Sequence, residues 1–213
     1  MAHTQTAGRG RRARPWVSPR GNFYGSLILH PVEPADQVAL RSFVAALALR
    51  RAFVAVSGLS TGFQLKWPND VLLNGGKVAG ILLESVGKPG GIAHLAVGIG
   101  VNLISAPDAQ LVESGATPPV SLLSETGLRV SPEAFLGALA VAFAQAEAVF
   151  TTAGFAPIRT EWLAHAARLG EVITARTGST TRTGTFQTID AAGNLILIAA
   201  QGPVAIPAAE VFF

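Results

Sequence analysis

Four arginines, Arg9, Arg11, Arg12 and Arg14, are interleaved with Gly8, Gly10 and Ala13 in a segment that starts at Gln5. It continues through Pro15 and Trp16 into Ser18-Pro19-Arg20-Gly21-Asn22. Glycine lets a backbone approach an anion closely, and guanidinium forks bind phosphate or carboxylate through paired hydrogen bonds. Counting Arg20, five of the sixteen basic residues fall in the first twenty positions with no acid among them, although the formal net charge is only +3. The chemistry that suits such a loop is the clamping of a phosphate or an acyl phosphate. A solvated basic tail and an arginine-glycine segment that binds nucleic acid compete with that reading. Trp16 and the apolar run that follows at once argue against both, because a disordered tail seldom anchors itself so close to a core element.

Two further segments carry chemistry. Lys66-Trp67-Pro68-Asn69-Asp70 leads through Asn74-Gly75-Gly76-Lys77 to Ala79-Gly80-Ile81-Leu82-Leu83-Glu84. A lysine at a strand end, held by a rigid Pro turn, presents a fixed positive charge where two anionic groups must meet against their repulsion. Asn69 and Asp70 fit that site or a turn in which they bond their own backbone, and Lys77, beside two glycines, reads by itself as a solvated hairpin charge. Gly98-Ile99-Gly100-Val101-Asn102-Leu103 is a strand whose glycines admit another backbone or a flat ring, and it ends in one amide side chain. Strand glycine also marks bulges and tight packing.

These segments need a scaffold. With 49% hydrophobic and 14% charged residues, the 213-residue chain has enough apolar content for one large domain and a small appended one. The longest apolar stretch, Ser42 to Val56, is broken by Arg50 and Arg51 and falls short of a bilayer span. No apolar segment with a small-residue cleavage site follows the basic start, so a cytoplasmic location without a membrane segment is expected. Zero cysteines exclude disulfides, thiol catalysis and thiolate metal sites. Phe23 to His30 reads as a buried strand, and a long apolar helix follows from Pro34-Ala35-Asp36 to about Val56. An antiparallel block then covers 63–67, 71–73, 77–84 and 92–102. Its Asn74-Gly75 pair predicts a type I′ hairpin with positive φ at both residues. Residues 106–119 read as a surface loop, and 132–152 and 157–168 as helices. From Gly170 the pattern changes to short β runs at 171–176, 181–189, 194–199 and 204–213, which fit a small β-barrel.

In this order and spacing the three segments resemble those of biotin protein ligases. GRGRRAR with W-x-S-P-x-G-N is similar to the family's biotinyl-adenylate loop, KWPND with K-x-A-G-I-L-x-E to its catalytic lysine strand, and GIGVNL to its adenine-side strand. The terminal β segment, with Gly184-Thr185 to Gly193-Asn194, is similar to the family's appended barrel. The resemblance implies an α+β fold of the class II aminoacyl-tRNA synthetase type, with a mixed sheet flanked by helices in a catalytic domain over 1–168 and a small C-terminal β-barrel over 169–213. It implies ATP-dependent activation of biotin to biotinyl-AMP and transfer to a lysine of a biotin carboxyl carrier protein, with a homodimer as a further option. Carried over by position, Lys66 and Arg11 are catalytic, and Gln5, Arg9, Gly10, Arg11 and Lys66 bind biotin. Arg12, Arg14, Asn102 and Trp162 bind nucleotide, although a buried helix tryptophan is a competing reading of Trp162. Magnesium accompanies the triphosphate with no ligand identified in the chain.

The sequence departs from the family pattern at two places. Members carry, about twenty-five residues ahead of the arginine loop, a Ser-Thr-Asn segment that bonds the biotin ureido group, and nothing between Met1 and Gln5 corresponds to it. Ala13 stands where the family usually has Gly, and alanine tolerates positive φ poorly. No helix-turn-helix precedes the loop, so neither DNA binding nor repression is expected. A lipoate or octanoate transferase of similar fold, a non-catalytic nucleic-acid-binding module and an inactive relative are the competing functions. Because each lost hydrogen bond to a buried ureido group costs on the order of 1 kcal/mol, the 213-residue chain is expected to bind biotin weakly or not at all. Submicromolar binding in titration calorimetry would contradict this.

Overall fold

In the computed structural model, residues 1–108, 115–178 and 180–213 are described. In chain order the first part comprises β1 (Phe23–Leu29), α1 (Ala35–Val38), α2 (Arg41–Ser57), β2 (Phe63–Lys66), β3 (Asp70–Leu73), β4 (Gly76–Lys88) and β5 (Gly91–Val101). After it come α3 (Leu122–Thr126), α4 (Pro132–Ala153) and α5 (Phe155–Ala164), and then β6 (Val172–Thr177), β7 (Thr180–Ile189), β8 (Leu195–Ala199), β9 (Gly202–Ile206) and β10 (Glu210–Phe212). The arrangement is α+β. The first sheet has the order β1-β5-β4-β3-β2 and the second β10-β6-β7-β8-β9.

Local chemistry explains most boundaries. Asn74 (φ 50°) and Gly75 (φ 84°) both adopt positive φ and close the β3–β4 hairpin with Leu73 opposite Gly76, as the Asn-Gly pair predicts. Helix α2 is buried nearly all round, from Phe43 to Phe53, and packs between the sheet and α4. It ends at Gly58 (φ 72°), whose N–H closes on the Val54 carbonyl. The short α3 has no counterpart in the sequence reading; Ser121 and Ser124 cap it reciprocally. By length and apolarity α4 could cross a membrane, yet Phe135, Leu139, Phe143 and Phe150 are buried in the core. Arg41, also buried, ties α2 to Glu33 at 2.9 Å and to Glu147 of α4 at 2.8 Å.

Four expectations change. The single helix from residue 34 is two, α1 and α2, with Leu40 between them turned into the core. The first sheet, expected to be mixed, is antiparallel in every ladder, and parallel pairing occurs among the described residues only in the isolated bridges Leu65–Ala166 and Lys77–Pro119. The run 204–213 is split at Pro207 into β9 and β10. The expected barrel is an open five-stranded sheet: Pro203, which has no N–H to donate, suits β9 to an edge, and three-residue β10 is the opposite edge. Part of the 106–119 loop lies outside the described residues.

The second sheet is anchored on the strand end that carries the lysine. The Trp67 indole N–H donates to the Gly193 carbonyl at 3.0 Å in the turn between β7 and β8. Gly193 (φ 81°) has no room for a side chain, since a Cβ there would lie 2.9 Å from both Leu40 and Phe43. Arg159 of α5 adds bonds to the Ile189 carbonyl and the Thr188 hydroxyl. Trp67→Phe orphans a buried carbonyl and removes ring volume, and urea unfolding is expected to show a loss of about 2–3 kcal/mol.

Candidate active site

The arginine segment folds back on itself. The Trp16 N–H donates to the Gly8 carbonyl at 2.9 Å and the Gly10 N–H to the Arg14 carbonyl at 2.8 Å. Between them Arg11–Ala13 make a single 3-10 turn in which Arg12 (φ 56°) and Ala13 (φ 58°) are left-handed. The alanine that departs from the family's glycine is thus held where a Cβ is disfavoured. The base of the loop is tight: a Cβ on Gly8 would meet the Trp16 carbonyl at 2.5 Å and the Gln5 Oε1 at 2.9 Å, and the Ser18 hydroxyl donates to that same Oε1.

Trp16 accounts for the strand glycines. Gly80 of β4 and Gly100 of β5 face each other in register, and the indole lies on them: a Cβ on Gly100 would fall 2.6 Å from the ring and one on Gly80 3.2 Å from it. The flat ring that the glycines admit belongs to the chain itself. Two cavities border the ring. The smaller, of about 200 Å³, includes Gln5, Arg9, Gly25, Ser26, Glu84 and Gly98 in its lining. The larger, of about 620 Å³, includes Arg11, Arg12, Arg14, Lys66, Asn102 and Glu210. Gly10, Trp16, Asn69 and Lys77 border both.

Lys66, at the end of β2, is only 7% exposed. Its ammonium donates to the Thr117 hydroxyl at 2.6 Å and lies 4.7 Å from the centre of the Phe213 ring. Burial pushes its pKa down, and the Asp70 carboxylate works in the opposite direction. Asp70 pairs with Lys77 at 2.7 Å, so the residue that reads as a solvated hairpin charge is an ion-paired wall of both cavities. Asn69 pins the turn to β4, its amide donating to the Ile81 carbonyl at 2.6 Å. Asn102 is buried. Its amide nitrogen donates to the Val120 carbonyl at 3.0 Å, and its Oδ1 has no hydrogen-bond partner among the described residues. Such an acceptor on a cavity wall suits an exocyclic amine.

The loop's charges meet an acid of the second sheet. Arg12 pairs with Glu210 at 3.1 Å, Arg14 pairs with its other oxygen, and Arg176 joins at 2.9 Å. Arg11 donates to the Ala209 carbonyl at 3.2 Å. Burial raises the Glu210 carboxyl, but the Arg176 hydrogen bond and the Arg14 and Arg12 charges outweigh it and hold the group below the ordinary glutamate range. A depressed carboxyl contributes stability above its unfolded value, so the clamp is complete at neutral pH and weakens only as pH falls through the lowered value.

Of the expected site residues, Gln5, Arg9 and Gly10 border the smaller cavity, and Gly10, Arg11, Arg12, Arg14, Lys66 and Asn102 the larger. Trp162 joins neither. It is 1% exposed in α5 and lies edge-on to Phe43 at 5.5 Å. Thr117, Glu210 and Phe213 had no local signature, being brought in from distant parts of the chain. Ala13→Gly relieves a left-handed alanine and is expected to raise stability by about 1 kcal/mol in urea unfolding.

Residues 1–102 match the model of the biotin/lipoate A/B protein ligase family, and residues 169–213 that of the biotin protein ligase C terminal domain. A biotin–[acetyl-CoA-carboxylase] ligase of Paracoccus denitrificans is 59% identical over the whole chain and 89% of its own length. A bifunctional ligase/repressor of Bacillus spizizenii is 32% identical over 99% of the chain, which spans 64% of that relative. The solved biotin protein ligase of Aquifex aeolicus in complex with biotin and ATP superposes with a TM-score of 0.82 at 26% identity, over 98% of this chain and 85% of that one. The chain belongs to the biotin protein ligase family.

Proposed function

We propose that the chain joins biotin to the α-phosphate of ATP and passes the biotinyl group to a lysine of a biotin carboxyl carrier protein. The observation that carries the proposal is the pair of cavities sharing Gly10, Trp16, Asn69 and Lys77, walled by the arginine loop on one side and by the lysine strand on the other. Two reactants seated in adjoining chambers meet at a fixed place, which converts an encounter into a positioned reaction. The names of the relatives supply the identities of acid and nucleotide.

In the first step a biotin carboxylate oxygen attacks the α-phosphorus and the bond to pyrophosphate breaks, leaving a mixed anhydride. In the second, a carrier lysine amine attacks the acyl carbon, AMP departs with the bonding pair, and the amine loses its proton. Gln5, Arg9 and Gly10 are assigned to the acid in the smaller chamber, and Arg12 and Arg14 to the phosphates in the larger. Lys66 and Arg11 are assigned to the charge that grows on the acyl and phosphoryl oxygens, where a desolvated cation acts most strongly. Asn102 is assigned to adenine through its unpaired Oδ1. Trp162, buried in α5 and lining neither cavity, is not assigned to the base. Magnesium would accompany the triphosphate; among the described residues no group of three metal-ligating side chains forms, and no residue is assigned to the ion.

Incubation with ATP, an apo carrier domain and saturating biotin is expected to add one biotinyl group to the carrier, read by mass. A gain with lipoate and none with biotin would overturn the substrate assignment. Lys66→Ala is expected to lower both adenylate formation and transfer by a factor of about 10² or more; unchanged single-turnover rates would remove Lys66 from the chemistry.

A further inference from the structure

Half of the chain's four histidines stand side by side on the first sheet. Leu29 of β1 faces Leu95 of β5 in antiparallel register, so His30 and His94 are the next pair across the same two strands. Directly opposed residues of such a ladder have neighbouring side chains. The two imidazoles meet edge to face, with ring centres 4.8 Å apart and planes at 73°, and their Nδ1 atoms lie 3.0 Å from each other. The pair is exposed to solvent and borders neither cavity of the candidate active site. It is on the same face of the sheet as Ser26 and Gly98 of the smaller cavity, four residues along each strand and therefore about 13 Å away.

One Nδ1–H can donate to the other Nδ1, but at an exposed place such a bond replaces bonds to water and contributes only on the order of 1 kcal/mol. Two neutral imidazoles whose nitrogens face each other at this spacing are also a chelate. With metal–nitrogen bonds of about 2.0–2.1 Å, nitrogens at a right angle about one ion lie about 2.9 Å apart, and at the tetrahedral angle about 3.3–3.4 Å. The observed 3.0 Å suits adjacent positions of a tetragonal or octahedral shell, the preference of Cu²⁺ and Ni²⁺, better than tetrahedral zinc. Rotation about the soft Cβ–Cγ torsion aims both lone pairs at one point, and the ladder holds the two residues together before any ion arrives. The ring that had donated moves its proton to Nε2 through water, so both rings stay neutral and no net proton is released. Among the described residues no third histidine, cysteine or carboxylate completes a cluster, and water fills the rest of the shell. Imidazole is a borderline ligand, from which a hard cation such as magnesium gains little.

We propose that His30 and His94 form a two-point binding site for a divalent d-block cation of the Ni²⁺ or Cu²⁺ type. The site is independent of the ligase reading above.

Titration of the full chain with Ni²⁺ tests it, in a His3→Gln background that removes the remaining exposed histidine. Saturable uptake of one ion per chain is expected. His30→Gln or His94→Gln alone is expected to weaken it by about tenfold or more, with the double variant no weaker than either single one, because a chelate needs both rings. Saturating Ni²⁺ is expected to raise the thermal midpoint by about 3 °C or more, a shift lost in H94Q and absent with Mg²⁺. The electron paramagnetic resonance spectrum of the chain with one equivalent of Cu²⁺ is expected to show two nitrogen donors. No saturable uptake, a single variant that keeps the parent affinity, or single effects that add in the double variant would overturn the proposal. One ion per two chains would put the metal between copies rather than across the strands and would overturn it as well. Should a variant fail to fold, the Cu²⁺ spectrum of the H3Q chain carries the test, and fewer than two nitrogen donors there counts against the site.

Discussion

A site for polyanions must gather cations before the anions arrive, and this constraint organises much of the molecule. Lys66, Lys77, Arg11, Arg12 and Arg14 all border one cavity. Two like charges 4 Å apart repel by about 4 kcal/mol at the effective dielectric of a protein surface, so gathered cations are eased by internal partners. Each cation is answered by a different element. Asp70 answers Lys77 across the β3–β4 hairpin, Thr117 and the Phe213 ring receive Lys66, and the start of β10 answers the loop. The second sheet thus supplies an acid, Glu210, to the loop, and it is joined to the lysine strand end through Trp67 and Gly193.

What the sequence made legible was local. The Asn74-Gly75 turn could be read because only a few residues accept two consecutive positive φ angles, and the structure has them. The arginine loop and the Lys66 turn were readable because glycine, proline and clustered charge carry their meaning within a few residues. The strained Ala13 followed from its departure from glycine at one position. Helix α4 was readable from its apolar residues from Pro132 onward, and the structure adds the Ser131 cap.

What escaped was non-local. Glu210 is one acid near the end of a β-rich tail, and nothing around it says that it meets arginines two hundred residues earlier; that depends on how the second sheet docks. Thr117 is an unremarked hydroxyl in a proline-containing loop until a parallel bridge beside Lys77 brings that loop to the lysine. The open C-terminal sheet, the break between α1 and α2 and the burial of Trp162 depend likewise on partners supplied by the tertiary fold. Periodicity identifies an apolar face without naming what covers it.

The seat of Trp16 on Gly80 and Gly100 has a consequence of another kind. Of the chain's three tryptophans, Trp67 and Trp162 are sealed in the core at 3% and 1% exposure, whereas Trp16 borders both cavities. Its ring nitrogen is buried with no hydrogen-bond partner among the described residues. Filling either cavity changes the surroundings of that one indole, while the other two stay enclosed by the core. The protein therefore carries its own optical gauge of occupancy, placed where filling either chamber is felt.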